Sequence, residues 1–316
     1  MRNIILGIFL LSSSLLFSQN KSLRTFDYSR VDSIALHLPK IKYSSYGELA
    51  ALLTSNLNTE QEKFRAIYRW IADNIKYSHS RTSDASKVLR SKRAACIGYS
   101  SLLQQMCEAV NLQCETIEGW SKIDQKEIGQ KMNVPSHAWN AINLGGKWYL
   151  TDVTWATSYF DVLRRRMVKY FDTSYFLPSP EEFIKQHYPK EQKWQLMDTV
   201  AKKKWFRKTY VWYNTLHSSG ISIVSPLKGR LSQNPQKDFT MVFRLDNSNP
   251  RIDSIKDINF MMDNNIRQSY FFKTISIDSS GLVIVKWKFP KYLKGEHEIT
   301  VFYNETEIAG YMLKFY

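Results

Sequence analysis

Three residues have the types, order and surroundings for nucleophilic chemistry: Cys96 in Ala-Ala-Cys-Ile-Gly-Tyr-Ser, His137 in Ser-His-Ala-Trp-Asn, and Asp152 in Trp-Tyr-Leu-Thr-Asp-Val-Thr-Trp. A thiolate attacks a carbonyl, an imidazole takes and returns the proton, and a carboxylate fixes the imidazole tautomer and steadies its charged form. Together they are a minimal set for acyl transfer through a thioester, with no cofactor and no metal. Singly each has a plainer explanation. A cysteine before an apolar helix is usually structural, a histidine on an aromatic strand is often only hydrogen-bonded, and an aspartate can cap a strand edge. The joint order is what gives the trio weight.

Two elements have to bring these residues together. Leu102, Leu103, Met106 and Val110 recur at helical spacing over 97–111, which puts Cys96 at or just before a helix start. Unpaired backbone N–H groups and the positive end of the helix dipole there favour a thiolate, and the same N–H groups could receive an oxyanion. Strand patterns over 137–144 and 147–155 flank Gly145-Gly146, a tight-hairpin signal. With Leu144 opposite Lys147, His137 faces Thr154 and Trp139 faces Asp152. Asp152 is then the diagonal neighbour of His137 on one face, at the roughly 7–8 Å from which an imidazole and a carboxylate can meet. A slip of one residue would separate them. Trp139 and Trp155 read first as core residues, with a cleft wall or an indole donor as the alternative. His187, between two tyrosine- and proline-containing turns, reads first as a brace of the helical extension against the core, with a site role as the alternative.

The bounds on the whole chain fit this chemistry. Arg2 followed by the apolar run 4–17 and Ser18 reads as a cleavable export signal over 1–18, with a retained anchor as the alternative. That run is shorter than a membrane span needs, no other stretch looks transmembrane, and the expected location is periplasmic or secreted. The remaining chain is long enough for two compact units. The formal net charge is +15, and basic residues outnumber acidic ones about two to one over 160–217, a segment that includes Arg164-Arg165-Arg166 and Lys202-Lys203-Lys204. Contact with an anionic surface is open to this segment, although solvated helix faces explain it as well. No nucleic-acid motif or aromatic interleaving accompanies the charge, so no nucleic-acid partner is expected. The 3 cysteines lack CxxC spacing and have no histidine at ligand spacing, which argues against zinc. Cys107 and Cys114 sit in apolar flanks where cysteine acts as a small hydrophobe, with a disulfide between them as the alternative.

Around the trio, the chain divides into 19–55, a polar lead-in that reads as extended up to about 45 and gains a short helical pattern from Tyr46; 56–218, holding the site; and 219–316. Phe64, Ile67, Tyr68, Ile71 and Ile75 mark a helix from Glu60, capped by Asn58 or Thr59. A polar loop holds Ser83 and Asp84, and residues 113–120 have strand character before a charged loop to Pro135. Residues 160–212 look helical and aromatic, interrupted at Pro178, Pro180 and Pro189. From Ile221 onward short alternating runs at 239–245, 270–277, 282–289 and 297–303 suggest an immunoglobulin-like β-sandwich, with Asn/Ser-rich pieces such as 246–249 as loops.

The stretch from Glu60 to Trp155 resembles a transglutaminase-like domain, on Cys-x-Gly-Tyr at Cys96, His-Ala-Trp-Asn at His137 and Trp-Tyr-x-x-Asp-x-Thr-Trp at Asp152. The resemblance implies an α+β, papain-like core with the three residues as nucleophile, base and orienting acid. Tyr175-Phe176-Leu177, Pro180, Phe183-Ile184, His187-Tyr188-Pro189 and Trp194-Gln195-Leu196 resemble the segment that follows the domain in the kyphoscoliosis-peptidase-like branch, and so imply a helical extension between the core and the β-sandwich. It implies a cysteine-dependent hydrolase acting on peptide or protein amides, with transamidation open where an amine replaces water. Members of that branch that lack the trio act as binding modules, which leaves a protein- or glycan-binding module as the competing expectation. This chain keeps all three residues. The loop 121–134 and the C-terminal half are where substrate choice is expected to be written.

Overall fold

The computed structural model describes residues 26–39, 43–161, 166–213, 220–245, 258–263 and 273–316. The export-signal stretch 1–18, Arg164 and Arg165, and the loop at 246–249 lie outside the described residues. The chain forms two compact units. The first takes the chain to Trp120, Pro135–Phe183 and Pro189–Val200, and the second takes Ser121–Val134, Ile184–Tyr188 and Ala201–Tyr316. Its composition is α+β, and among the described residues no helix is long and apolar enough to cross a membrane.

The first unit opens with α1 (Ser29–His37), α2 (Tyr46–Thr54) and α3 (Glu60–Asn74). A helix at α1 departs from the extended lead-in expected there. Val31 and Ala35 are buried, and Asp32 pairs with Arg65 of α3 through both carboxylate oxygens at 2.7 Å. The Arg65 guanidinium lies within 4.9 Å of the ring centroids of Tyr28, Phe171 and Phe176. Helix α3 starts at a capping box in which Thr59 and Glu62 exchange side-chain and backbone bonds. Its predicted face, Phe64, Ile67, Tyr68 and Ile71, is fully buried.

Next come β1 (Lys76–Tyr77), α4 (Ala85–Ser91), β2 (Arg93–Ala94) and α5 (Cys96–Glu108). Asp84, expected in a loop, caps α4 by accepting from Lys87 N at 3.0 Å. The antiparallel sheet follows, with β3 (Cys114–Ser121), β4 (His137–Leu144) and β5 (Lys147–Thr151). Gly145 and Gly146 turn the hairpin at φ +60° and +81°, the pair of positive values a two-residue turn of this hand requires. Helix α5 packs on β4, and its Leu102, Leu103 and Met106 are fully buried, each worth about 1.5–3 kcal/mol of apolar burial. Asn140 Nδ2 on β4 donates to Ser100 O of α5 at 3.0 Å, which locks the helix along the strand.

Residues 160–212 are less helical than their composition suggests. Beyond β6 (Ser158–Asp161) and β7 (Arg166–Lys169), the described residues hold the short α-helices α6 (Pro180–Phe183) and α7 (Lys203–Lys208), the 3-10 turns Thr173–Tyr175 and Gln192–Gln195, and the short strands β8 (His187–Pro189) and β9 (Val211–Trp212). Prolines interrupt the pattern, and Leu177 and Leu196 turn the chain at φ 52°. The aromatic side chains act as separate wedges, as where Trp194 meets Trp148 at 5.2 Å.

The second unit is a β-sandwich built from β10 (Ile221–Ser225), β11 (Arg230–Gln233), β12 (Phe239–Leu245), β13 (Ile258–Met262), β14 (Lys273–Ile277), β15 (Val283–Trp287), β16 (Gly295–Tyr303) and β17 (Thr306–Phe315). One sheet runs β10-β12-β15-β14 and the other β11-β17-β16-β13, with β9 on β17. Met241, Phe243, Val285 and Trp287 from the first meet Phe260, Val301, Tyr311 and Leu313 from the second in one buried cluster. The loop 121–134 belongs to this unit. Gln125 Nε2 donates to Thr300 Oγ1 at 2.8 Å, and the buried Lys122 Nζ donates to Phe206 O at 2.6 Å, Thr209 O at 2.8 Å and Thr209 Oγ1 at 2.7 Å. Burial pulls the Lys122 pKa down to about 7, while this ring of acceptors favours the ammonium form.

Candidate active site

Cys96 is the first residue of α5. Its N-cap, Ala95, brings no side-chain hydrogen bond to the helix end, so no capping oxygen competes for the first-turn N–H groups. The thiol is half-buried. Burial alone would raise its pKa, but the hydrogen bond and charge of His137 and the Ala138 backbone N–H outweigh burial and the opposing charge of Asp152, and the value is lowered.

His137 begins β4 and is 8% exposed; Asp152 is fully buried. Imidazole Nε2 lies 2.6 Å from Asp152 Oδ2. With Nε2 spent on the carboxylate, the hydrogen bond to Cys96 falls to Nδ1. Burial opposes the imidazolium, yet the Asp152 charge and hydrogen bond, followed by those of Cys96, raise the His137 pKa to about 9. The Cys96 value moves down and the His137 value up, the pattern of a thiolate–imidazolium pair.

The hairpin register has Leu144 opposite Lys147 and Asn140 opposite Thr151, as the glycine pair predicts. The strand stops there, four residues short of the expected Trp155. Asp152 does not continue the ladder toward Trp139. Its N–H donates to Tyr175 O at 3.1 Å, its carbonyl accepts from Tyr68 Oη at 3.0 Å, and its Oδ1 accepts from Thr154 N at 2.8 Å and Trp155 N at 3.0 Å. The last two bonds curl the chain into a short 3-10 turn, Trp155–Thr157. They occupy one carboxylate oxygen and leave the other for His137. Tyr68 and Tyr175 are thus positioning residues that strand periodicity could not reveal, since both act through backbone atoms of Asp152.

The two tryptophans divide the roles considered for them. Trp139 is 1% exposed and packs edge-on against Phe183 at 5.8 Å, a core position. Trp155 is partly buried and lies 5.1 Å from the His137 ring at 31°, so it walls the imidazole. His187 is fully buried and falls in the second unit. All three cysteines are free thiols, and Cys107 and Cys114 are buried. Burial and the adjacent Cys114 push the Cys107 thiol well up, which makes it inert beside Cys96.

Residues 47–153 match the family model of the transglutaminase-like superfamily. Over 191 residues the chain is 29% identical to human "Kyphoscoliosis peptidase", covering 58% of this chain and 29% of that protein. Over 192 residues it is 27% identical to "Hillarin" of Drosophila melanogaster, covering 54% of this chain and 23% of that protein. The chain therefore spans under a third of the length of these curated relatives. A solved structure of a TGase is similar over 45% of this chain and 37% of its own, at 16% identity and a TM-score of 0.27, a likeness too slight to carry argument.

Proposed function

We propose that this chain, which carries a transglutaminase-like domain of the kyphoscoliosis-peptidase-like branch, is a cysteine-dependent enzyme that cleaves amide bonds in peptides or proteins. The Cys96 thiolate adds to the amide carbonyl, His137 gives its proton to the departing amine, and a thioester remains on Cys96. Water, deprotonated by His137, then adds to the thioester carbonyl and releases the acid and the thiol. An amine in place of water gives a new amide, and the same three residues serve both outcomes. Asp152 keeps the imidazole in the orientation both steps need.

The observation that carries this reading is the 2.6 Å His137–Asp152 contact in a buried site, beside a thiol whose pKa His137 draws down. An inert core cysteine shows the opposite shift, as Cys107 does. The apolar run 4–17 supports a place outside the cytoplasm, tested by fractionation and by the N-terminal residue of the product. The test of activity compares the chain with Cys96→Ala on a broad peptide library, with and without a primary amine. Products that require Cys96 are expected. Identical product sets from both proteins would overturn the enzyme reading and leave a binding module on the same fold.

A further inference from the structure

The segment leading into the Cys96 helix carries an uncommon charge arrangement. Backbone bonds run from Lys76 N to Lys92 O at 2.9 Å, Ser78 N to Ala94 O at 2.8 Å and Ala95 N to Ser80 O at 2.8 Å. Ser101 Oγ then donates to Ser83 O at 2.6 Å, and a Cβ placed on Gly98 would come within 2.7 Å of Thr82 O. Residues 76–83 thus lie along the approach to Cys96 and along the first turn of α5, with Arg81 beside the helix start. The neighbourhood is electrostatically connected: the half-exposed Tyr77 phenol is raised by burial and by the Cys96 charge and lowered by Arg81.

Between residues 76 and 93 the chain holds Lys76, Arg81, Lys87, Arg90, Lys92 and Arg93 against the single acid Asp84. Asp84 is engaged as the α4 cap and pairs with Lys87 at 3.6 Å. Lys76, Arg81 and Arg93 are exposed, and none has an ion pair among the described residues. Lys76 and Arg93 are also direct Cα partners in the parallel β1–β2 ladder, so two like charges share one face, an arrangement that costs stability. Folding gains nothing from that placement. A ligand of opposite charge would.

We propose that this strip is the anion subsite of the enzyme reading above, on which it rests: Arg81, supported by Lys76 and Arg93, receives carboxylate side chains of an acidic peptide segment whose acyl group reaches Cys96. The positive charge sits at two separate places along the strip, the adjacent Lys76–Arg93 pair at the ladder and Arg81 five residues beyond Lys76 in the chain. That spacing suits side chains repeating along an extended peptide, whereas a phosphate group asks for donors that converge on one point.

Cys96 itself reports the local potential. The full chain is alkylated with anionic iodoacetate and with neutral iodoacetamide, and modification of Cys96 is followed by mass spectrometry at 20 mM and 500 mM NaCl. The ratio of the two rates at low salt is expected to fall about fivefold in Arg81→Glu, the size of reversing a unit charge within about 8 Å in a water-like medium. It is expected to fall about twofold in Lys76→Glu/Arg93→Glu, whose charges lie further along the strip, and both effects shrink in 500 mM NaCl. A ten-residue poly-glutamate should slow modification by iodoacetamide, poly-lysine should not, and both variants should lose the protection. An unchanged ratio in Arg81→Glu overturns the proposal. So does protection by phosphatidylglycerol vesicles in place of poly-glutamate, which would assign the strip to a membrane surface. If Cys96 alkylates with iodoacetamide like an ordinary thiol while the charge effects persist, the enzyme reading fails and the subsite stands.

Discussion

Replacing Asp152 by Asn removes one charge while keeping the shape of the buried turn. The amide Oδ1 can still accept from Thr154 N and Trp155 N, which bond the carboxylate at 2.8 and 3.0 Å, so the fold should survive with a melting temperature within a few degrees of the parent. The site should not survive electrostatically. His137 titrates at about 9 against an ordinary 6.5 although burial opposes its charge, a difference of about 3 kcal/mol in favour of the imidazolium. The leading favourable contribution is the Asp152 charge, and without it burial returns the ring to the neutral form. The Asn NH₂ would also donate to Nε2 and put the ring proton on Nδ1, where it can no longer accept from the thiol. Cys96 then loses its counter-charge. A thiol returned to an ordinary pKa of about 8.5 is about 1% thiolate at pH 6.5, so alkylation at that pH should slow by up to about 100-fold. The assay is the iodoacetamide rate at Cys96 from pH 5 to 10, read by mass spectrometry, with buried Cys107 and Cys114 as unreactive internal controls. Superimposable pH profiles for the parent and Asp152→Asn would refute the ion-pair reasoning.

Other consequences can be measured on stability. Because the folded pKa of His137 is raised to about 9, its contribution is complete below pH 6.5 and is lost as the pH climbs through about 9. The melting temperature should therefore decline over that interval, and His137→Gln should remove that part of the slope. Asp32→Ala leaves the 4%-exposed Arg65 side chain without its bidentate partner and should cost about 3–5 kcal/mol in denaturant unfolding. Gly98→Ala puts a methyl within 2.7 Å of Thr82 O and 2.8 Å of Ala94 Cβ; a loss of about 1–3 kcal/mol is expected, together with slower alkylation of Cys96 as the helix start shifts. Lys122→Met strands the carbonyls of Phe206 and Thr209 and should lower stability by about 2–4 kcal/mol at neutral pH.

The chemistry-bearing residues were legible because they sit where local rules are strict. A helix with a clear apolar face has only one place to begin, and Gly145-Gly146 admits one hairpin register, so Cys96 and the Leu144–Lys147 pair could be placed from pattern alone. What escaped was decided by distant partners. Helix α1 offers only the short apolar set Val31, Ile34 and Ala35 within a polar stretch, and Asp32 reaching Arg65 and Arg69 adds to what holds it. Helix α4 is only 7 residues long, too short for periodicity to show. The final hairpin turns at Asn304 and Glu305 with φ 48° and 62°; Asn304 suits that conformation, but Glu305 stands where glycine usually completes the signal, and so the turn before β17 was only half marked. The aromatic residues of 160–212 satisfied a helical pattern numerically while prolines and left-handed leucines denied them a continuous helix. The early exit of Asp152 from its strand depends on Tyr175, and no period in 147–155 encodes a residue so far along the chain.

That exit also sets how portable the site is. The family match ends at residue 153, yet Tyr175 O accepts from Thr151 Oγ1 at 3.0 Å and from Asp152 N at 3.1 Å, and the Tyr175 ring packs edge-on against Trp155 at 5.5 Å. A graft or truncation drawn at the recognised border would carry Cys96, His137 and Asp152 and drop the strut beneath the last of them. The smallest transplantable unit runs at least to Phe176, and divergence among relatives in this trailing segment would retune the His137–Asp152 contact without touching Cys96, His137 or Asp152.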